Sequence, residues 1–108
     1  MKKKYLNFSE DFIQQILNGD KCATLRLGFR DYRKGERVII TAGDRELAVA
    51  VIKDVRFKKF RDITDTDAKL DGFKTKDALK RALIEFYGEF EEDAVFTQII
   101  FEIEKIIM

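Results

Sequence analysis

One stretch, Glu46 to Phe57, limits what this chain can fold into more than any other. As a β-strand it places Leu47, Val49 and Val51 on one face and Ala48, Ala50 and Ile52 on the other, because side chains alternate across the pleat. A strand apolar on both faces belongs in the middle of its sheet, covered on two sides. A chain of 108 residues has room for one such core, so residues 1–108 are expected to form a single domain. Turn chemistry identifies a neighbour of this strand. Ala42-Gly43-Asp44-Arg45 reads as a hairpin turn, since glycine adopts positive φ at little cost, and it joins the long strand to a shorter one from Arg37 to Thr41. Arg33-Lys34-Gly35-Glu36 reads as the turn that feeds the shorter strand.

Two further segments alternate. In Cys22–Leu27, Ala23, Leu25 and Leu27 share one face, and Cys22, Thr24 and Arg26 the other. In the tail from Ala94 to Ile107, Val95, Ile99, Phe101 and Ile103 oppose Gln98, Glu102 and Glu104. Helices announce themselves by caps. Ser9 precedes an acidic first turn and the apolar residues Phe12, Ile13, Ile16 and Leu17, with Gly19 as the stop. Thr75 caps a second helix with the stripe Ala78, Leu79, Ala82, Leu83 and Phe86, stopped by Gly88. Phe60 to Phe73 reads as an acidic loop with a helical turn after Ile63, and Phe57, Phe60, Phe73 and Phe86 read as core. A β-α-β-β-β-α-β order with only two helices suits a small curled sheet plugged by helices, an α+β class, better than a parallel βαβ fold.

Histidine is absent and Cys22 is the only cysteine, which excludes a disulfide framework, a zinc finger, a Ser-His-Asp triad and any His-ligated metal. Only oxygen-ligand metal sites stay open. Asp62, Asp65, Asp67 and Asp71 lack the glycine and terminal glutamate of an EF-hand and read as solvated loop carboxylates. Lysine and arginine total 21 against 20 acidic residues, so no long-range field points to a polyanion, and any nucleic-acid contact has to be a local patch. Apolar runs such as Ile99-Ile100-Phe101 fall far short of the ~20 residues that span a bilayer, and no signal-peptide apolar region follows Met1-Lys2-Lys3-Lys4. The expectation is a soluble, cytoplasmic protein with no membrane partner.

Chemistry-bearing residues concentrate in Gly19-Asp20-Lys21-Cys22-Ala23-Thr24-Leu25-Arg26. Lys21, Thr24 and Arg26 can converge on an anion, as a point charge, a hydroxyl and a planar two-pronged donor. The same trio can run acyl transfer if burial depresses the lysine pKa so that its amine activates the threonine hydroxyl. They also read as two solvated charges around a β-forming threonine. Cys22 has no partner base and reads as a small strand residue. Arg30, Arg33, Lys34 and Arg37, interleaved with Phe29 and Tyr32, form the best basic-aromatic patch, suited to stacking bases or to an ordinary charged loop. Lys2, Lys3 and Lys4 read as a solvated tail rather than an RNA-touching arm.

The run Ile16 to Arg26, I-L-N-G-D-K-C-A-T-L-R, resembles the G-x-K-x-x-T-x-R signature of the ASCH family. The resemblance continues in order: Tyr32-Arg33-Lys34-Gly35-Glu36 is similar to the family's Tyr/Phe-x-x-Gly-Asp/Glu turn, and Val51-Ile52-Lys53-Asp54-Val55 to its central strand. Phe60-Arg61-Asp62-Ile63 is similar to the segment that follows, Asp71-Gly72-Phe73 to the acidic-Gly-Phe element before the last helix, and Val95 to Phe101 to the closing strand.

This resemblance implies a small PUA-like β-barrel of about five to six mostly antiparallel strands, with two or three helices at its side and ends. It implies a cleft that binds RNA or a modified nucleoside or nucleotide. Gly19, Lys21, Arg26, Phe29, Arg30 and Tyr32 would be ligand contacts there, with no DNA-specific signal. In a subgroup of small single-domain members that hydrolyse N4-acetylcytidine, Lys, Thr and Glu are the catalytic residues. These roles fall on Lys21, Thr24 and Asp71, the aspartate being one methylene shorter than the usual Glu. On the enzyme reading Arg26 and nearby backbone N–H groups would steady the oxyanion, and no metal or cofactor is required. On the binding reading Lys21 and Arg26 would grip phosphate or a base edge, with Asp71 holding Lys21 in place. RNA cleavage, suggested for some relatives, would need Lys21 as base or a recruited metal.

Overall fold

The computed structural model describes residues 3–108, so Met1 and Lys2 of the amino-terminal lysine run lie outside the described residues. Five strands form one sheet: β1 (Tyr5–Phe8), β2 (Ala23–Leu27), β3 (Arg37–Ala42), β4 (Arg45–Lys59) and β5 (Val95–Ile106). Their spatial order is β1-β3-β4-β5-β2, every pairing antiparallel except the parallel pair β1 and β3. β4 is central, as its two apolar faces require. Register shifts at Val49/Ala50 and Ile52/Asp54 mark bulges that bend and twist it. The sheet curls into a half-barrel far enough for its edge strands to meet: Arg26 Nη2 on β2 donates to the Asn7 carbonyl on β1 at 2.6 Å.

Three helices complete an α+β half-barrel: α1 (Ile13–Leu17), α2 (Asp65–Leu70) and α3 (Lys76–Tyr87). Ser9 accepts from the Asp11 N–H and opens a 3-10 turn, Glu10–Phe12, that leads into α1. Asn18 caps the end of α1, and Gly19 follows with φ +87°. Thr75 caps α3 by accepting from Ala78 N–H, and Gly88 stops it. The acidic segment after Phe60 is more ordered than its composition suggests. Thr64 and Asp67 form a reciprocal capping box there, and this cap builds α2.

The interior has two parts. An aliphatic core inside the curled sheet joins Leu6, Ile16, Val38, Ile40, Leu47, Ile52 and Ile99 with Phe8 and Phe101. A second core under α2 and α3 joins Leu25, Phe60, Ile63, Leu79, Leu83 and Phe96, with Phe73, Tyr87 and Phe90 packed against it. Several expectations are corrected. Phe57 and Phe86 are exposed rather than core, because Phe57 lies near the overhanging end of β4 and Phe86 in the last turn of α3. Gln98 is buried rather than on a polar surface, because β5 lies between two strands and its far face meets α2. Asp67 and Asp71 are buried, not solvated, the first within α2 and the second at its end. Lys4 belongs to no free tail: its ammonium pairs with Glu36 at 3.1 Å and lies 4.6 Å from the Tyr32 ring centre. No helix among the described residues is long and apolar enough to cross a membrane.

Candidate functional site

The seam where β1 and β2 approach opens into a cleft of about 780 Å³. Its walls are the end of β1, the turn into α1, β2, the Asp71–Phe73 turn and one face of α3. Lys21 enters just ahead of β2. Its N–H donates to the Gln15 carbonyl at 2.9 Å, which ties the residue to α1, while Cys22 N–H bonds to Leu70 at the end of α2. Two helices therefore fix the backbone on which the lysine stands.

The Lys21 ammonium is almost wholly enclosed, at 3% exposure. It donates to the Asp71 carboxylate and, at 2.7 Å, to the Asp71 main-chain carbonyl. Three rings wall it in, with centres 4.4 Å (Phe12), 5.4 Å (Phe73) and 5.7 Å (Phe8) from Nζ. Their π-faces attract a cation but do not replace its hydration shell. The aspartate reaches although its side chain is short because its main chain comes up to the lysine as well. Gly72 makes that approach: its φ is +90°, and a Cβ there would sit 3.0 Å from Gln15 Oε1 and 3.4 Å from Lys21 Cβ. A side chain at this position would strain the turn and press it away from Lys21.

Burial dominates the electrostatics. Desolvation pushes the Asp71 carboxyl up to about 6 against the opposing pull of Lys21. Desolvation likewise draws Lys21 below its ordinary value, only partly offset by Asp71. An acid pushed up and a base pulled down, in contact beside a cleft, form the kind of pair that exchanges protons.

Thr24 and Arg26 share a strand face, as their alternation requires. Thr24 is 6% exposed, and its Oγ1 accepts from Arg26 Nε at 3.1 Å. The Arg26 guanidinium carbon lies over the Phe8 ring, 5.0 Å from its centre. The structure thus brings Lys21, Thr24, Arg26, Asp71 and Arg30 to one cleft.

Three predicted ligand contacts lie elsewhere. Gly19 ends α1 and borders a separate hollow behind Lys21. Phe29, 72% exposed, packs on Phe57 with ring centres 5.1 Å apart. Tyr32 packs on the aliphatic core and donates its hydroxyl to the Tyr5 carbonyl at 2.8 Å. Missed in the sequence were the walls: Phe8, Phe12 and the α3 residues Leu79, Leu83, Phe86 and Tyr87. The usable signal was Ser9-x-x-Phe12, a cap that fixes where the following ring must stand.

The comparisons with known proteins agree with this architecture. The family model described as ASCH domain matches residues 2–105. No curated protein matches the chain in sequence. Among solved structures, protein EF3133 from Enterococcus faecalis superposes with a TM-score of 0.76 at 17% identity, over 99% of this chain and 83% of that one. The ASCH domain from Lactobacillus crispatus gives 0.70 at 17% identity, over 94% and 80%. The ASCH protein from Zymomonas mobilis gives 0.71 at 13% identity, over 98% and 71%. At these identities the likeness is one of fold.

Proposed function

Because the chain belongs to the ASCH domain family, with that match spanning residues 2–105, we propose that its cleft takes a modified nucleoside and hydrolyses an amide on the base, N4-acetylcytidine being the reference substrate. One observation carries this reading: the enclosed Lys21–Asp71 pair lines the same cleft as Thr24. Its environment argues against a phosphate grip. A lysine that binds a nucleic-acid backbone presents its charge to solvent and releases counterions on contact. Lys21 is buried and already neutralised by Asp71, so it has little charge to offer a phosphate.

In this reading the Lys21–Asp71 pair passes a proton between its members, and with that proton on Asp71 the Lys21 amine takes the Thr24 hydroxyl proton as Oγ1 bonds to the acetyl carbon. The bond from that carbon to the cytosine amine then breaks, and the leaving nitrogen receives a proton from Lys21 or from Asp71, whose carboxyl holds one near pH 6. Water cleaves the resulting threonyl ester and releases acetate. The cleft volume of about 780 Å³ falls within the range of small-molecule sites, and its aromatic walls suit a flat base. Incubation with N4-acetylcytidine, followed by chromatography for cytidine, tests the reading. Turnover that falls at least about 100-fold in Thr24→Ala and in Lys21→Ala is expected. No turnover by the native chain would remove this substrate.

RNA as the carrier of the base is a second reading, in keeping with the general association of ASCH domains with RNA. Arg30, exposed on the cleft rim, and the exposed, mutually tilted pair Phe29 and Phe57 favour it. Binding of single-stranded RNA whose salt dependence flattens in Arg30→Ala would support it, and salt-independent binding would exclude it.

A further inference from the structure

Arg26 commits two of its donors inside the protein, one on each side of the seam. Nε donates to Thr24 Oγ1 at 3.1 Å, Nη2 donates to the Asn7 carbonyl at 2.6 Å, and the guanidinium carbon lies over the Phe8 ring. Anchored at both points, the guanidinium keeps a fixed place beside Thr24. It is well placed to act on the hydroxyl it touches.

Resting on the amidohydrolase reading of the same cleft, we infer that Arg26 is a positioning residue for the nucleophile. By occupying one lone pair of Thr24 Oγ1 it turns the O–H proton away from β1 and leaves the other lone pair for attack. As that proton departs, the fixed positive charge supports the developing alkoxide. The bond is local, since Thr24 and Arg26 are two apart on one strand face. Its anchor is not local, because the Asn7 carbonyl and the Phe8 ring belong to the opposite edge of the sheet. The reactive orientation of Thr24 therefore depends on closure of the half-barrel. Arg26 also acts on Lys21, whose pKa its nearby charge helps to lower.

An activated ester tests this apart from the natural substrate. With p-nitrophenyl acetate, the Thr24 proton passes to the neutral Lys21 amine, Oγ1 bonds to the acetyl carbon, and p-nitrophenolate leaves with the electron pair of the broken C–O bond. Intact-protein mass and peptide mapping follow acetylation of Thr24. The native chain is expected to be acetylated at Thr24, Arg26→Ala at least tenfold more slowly, and Arg26→Lys at an intermediate rate. Millimolar guanidinium is expected to restore part of the Arg26→Ala rate. The pH midpoint of acetylation is expected to move upward in Arg26→Ala, which loss of packing alone would not cause. Phe8→Leu, which leaves every donor in place, is expected to slow acetylation about two- to threefold and serves if Arg26→Ala fails to fold.

Acetylation at an unchanged rate in Arg26→Ala, with a raised KM for N4-acetylcytidine, would make Arg26 a substrate clamp and overturn the inference. Acetylation of the native chain on residues other than Thr24 would also overturn it. A chain acetylated at Thr24 in an Arg26-dependent manner but inactive on N4-acetylcytidine would instead keep the inference and remove the proposed substrate.

Discussion

Helix α2 carries two buried aspartates one turn apart, each facing a lysine, and their acidities are driven in opposite directions. Asp67 falls to about 2 and Asp71 rises to about 6. Burial pushes both upward, and harder for the more deeply enclosed Asp71. The number of donors decides the sign for Asp67. Asp67 accepts from Gln98 Nε2 at 2.9 Å, from the Thr64 backbone N–H at 3.0 Å, from Lys58 Nζ at 3.1 Å and from the Thr64 hydroxyl at 3.2 Å. Together these outweigh the cost of desolvation. Asp71 is held by Lys21 and the Leu25 backbone N–H, and the lysine is itself stripped of water by three rings. A fully donated carboxylate serves as a structural joint, whereas a sparsely donated one keeps a proton available. A lysine–aspartate pair thus cannot be classed by its contact alone.

Removing each lysine separates the two nodes most sharply. Lys21→Met leaves a carboxylate buried without its cation and is expected to cost about 3–5 kcal/mol at pH 7, with much of the loss recovered in Lys21→Met/Asp71→Leu. Lys58→Met is expected to cost under about 1 kcal/mol, because Lys58 is partly exposed and Asp67 retains Gln98 and Thr64. Urea midpoints measure both, and equal costs would erase the distinction.

Acidity gives the next largest effect. Between about pH 4 and 6 the folded chain keeps the Asp71 proton that the unfolded chain has lost, so this group makes stability fall as pH rises through that window. Asp67 works the other way: from about pH 4 down to about 2 the unfolded chain binds the proton first, and at most about 2 kcal/mol of stability, less after solvent screening, is expected to be lost on acidification. In urea titrations across this range, Asp71→Asn is expected to abolish the first slope and Asp67→Asn the second. If Asp71→Asn left the slope above pH 4 intact, the assignment to Asp71 would be wrong.

The smallest effect sharpens the count of donors. Gln98→Leu removes the shortest bond to Asp67 and is expected to cost about 1 kcal/mol at pH 7, while raising the Asp67 pKa as followed by carboxyl NMR titration. Part of the loss is offset because Gln98 Oε1 has no partner among the described residues. An unmoved Asp67 pKa would mean that Lys58 and Thr64 alone set it.

These nodes also mark where reading the sequence stops working. Ser9, Thr75 and Gly88 declare helix ends through chemistry confined to a few residues, and the shared face of Thr24 and Arg26 follows from strand alternation. The half-barrel followed from the two-faced strand at Glu46–Phe57 and from the ordered resemblance along the chain. Asp67 gave no such sign. Its burial depends on Gln98, 31 residues away, and an acidic run looks solvated until that partner arrives. Lys21 likewise became a candidate through a short motif, but its dehydration comes from Phe8, Phe12 and Phe73, which local periodicity assigns only to a core. Phe57 and Phe86 fit an apolar pattern yet face solvent because each lies near the end of its element, beyond the surface that would cover it.

The three rings around Lys21 come from the first strand, the turn into α1 and the turn after α2, so their enclosure is complete only when distant parts of the polymer have docked. A chain that is nicked or half assembled is expected to expose this amine to water. Reactivity of that amine toward acylating reagents at neutral pH would therefore report on tertiary closure of the whole molecule, and not on any single element of it.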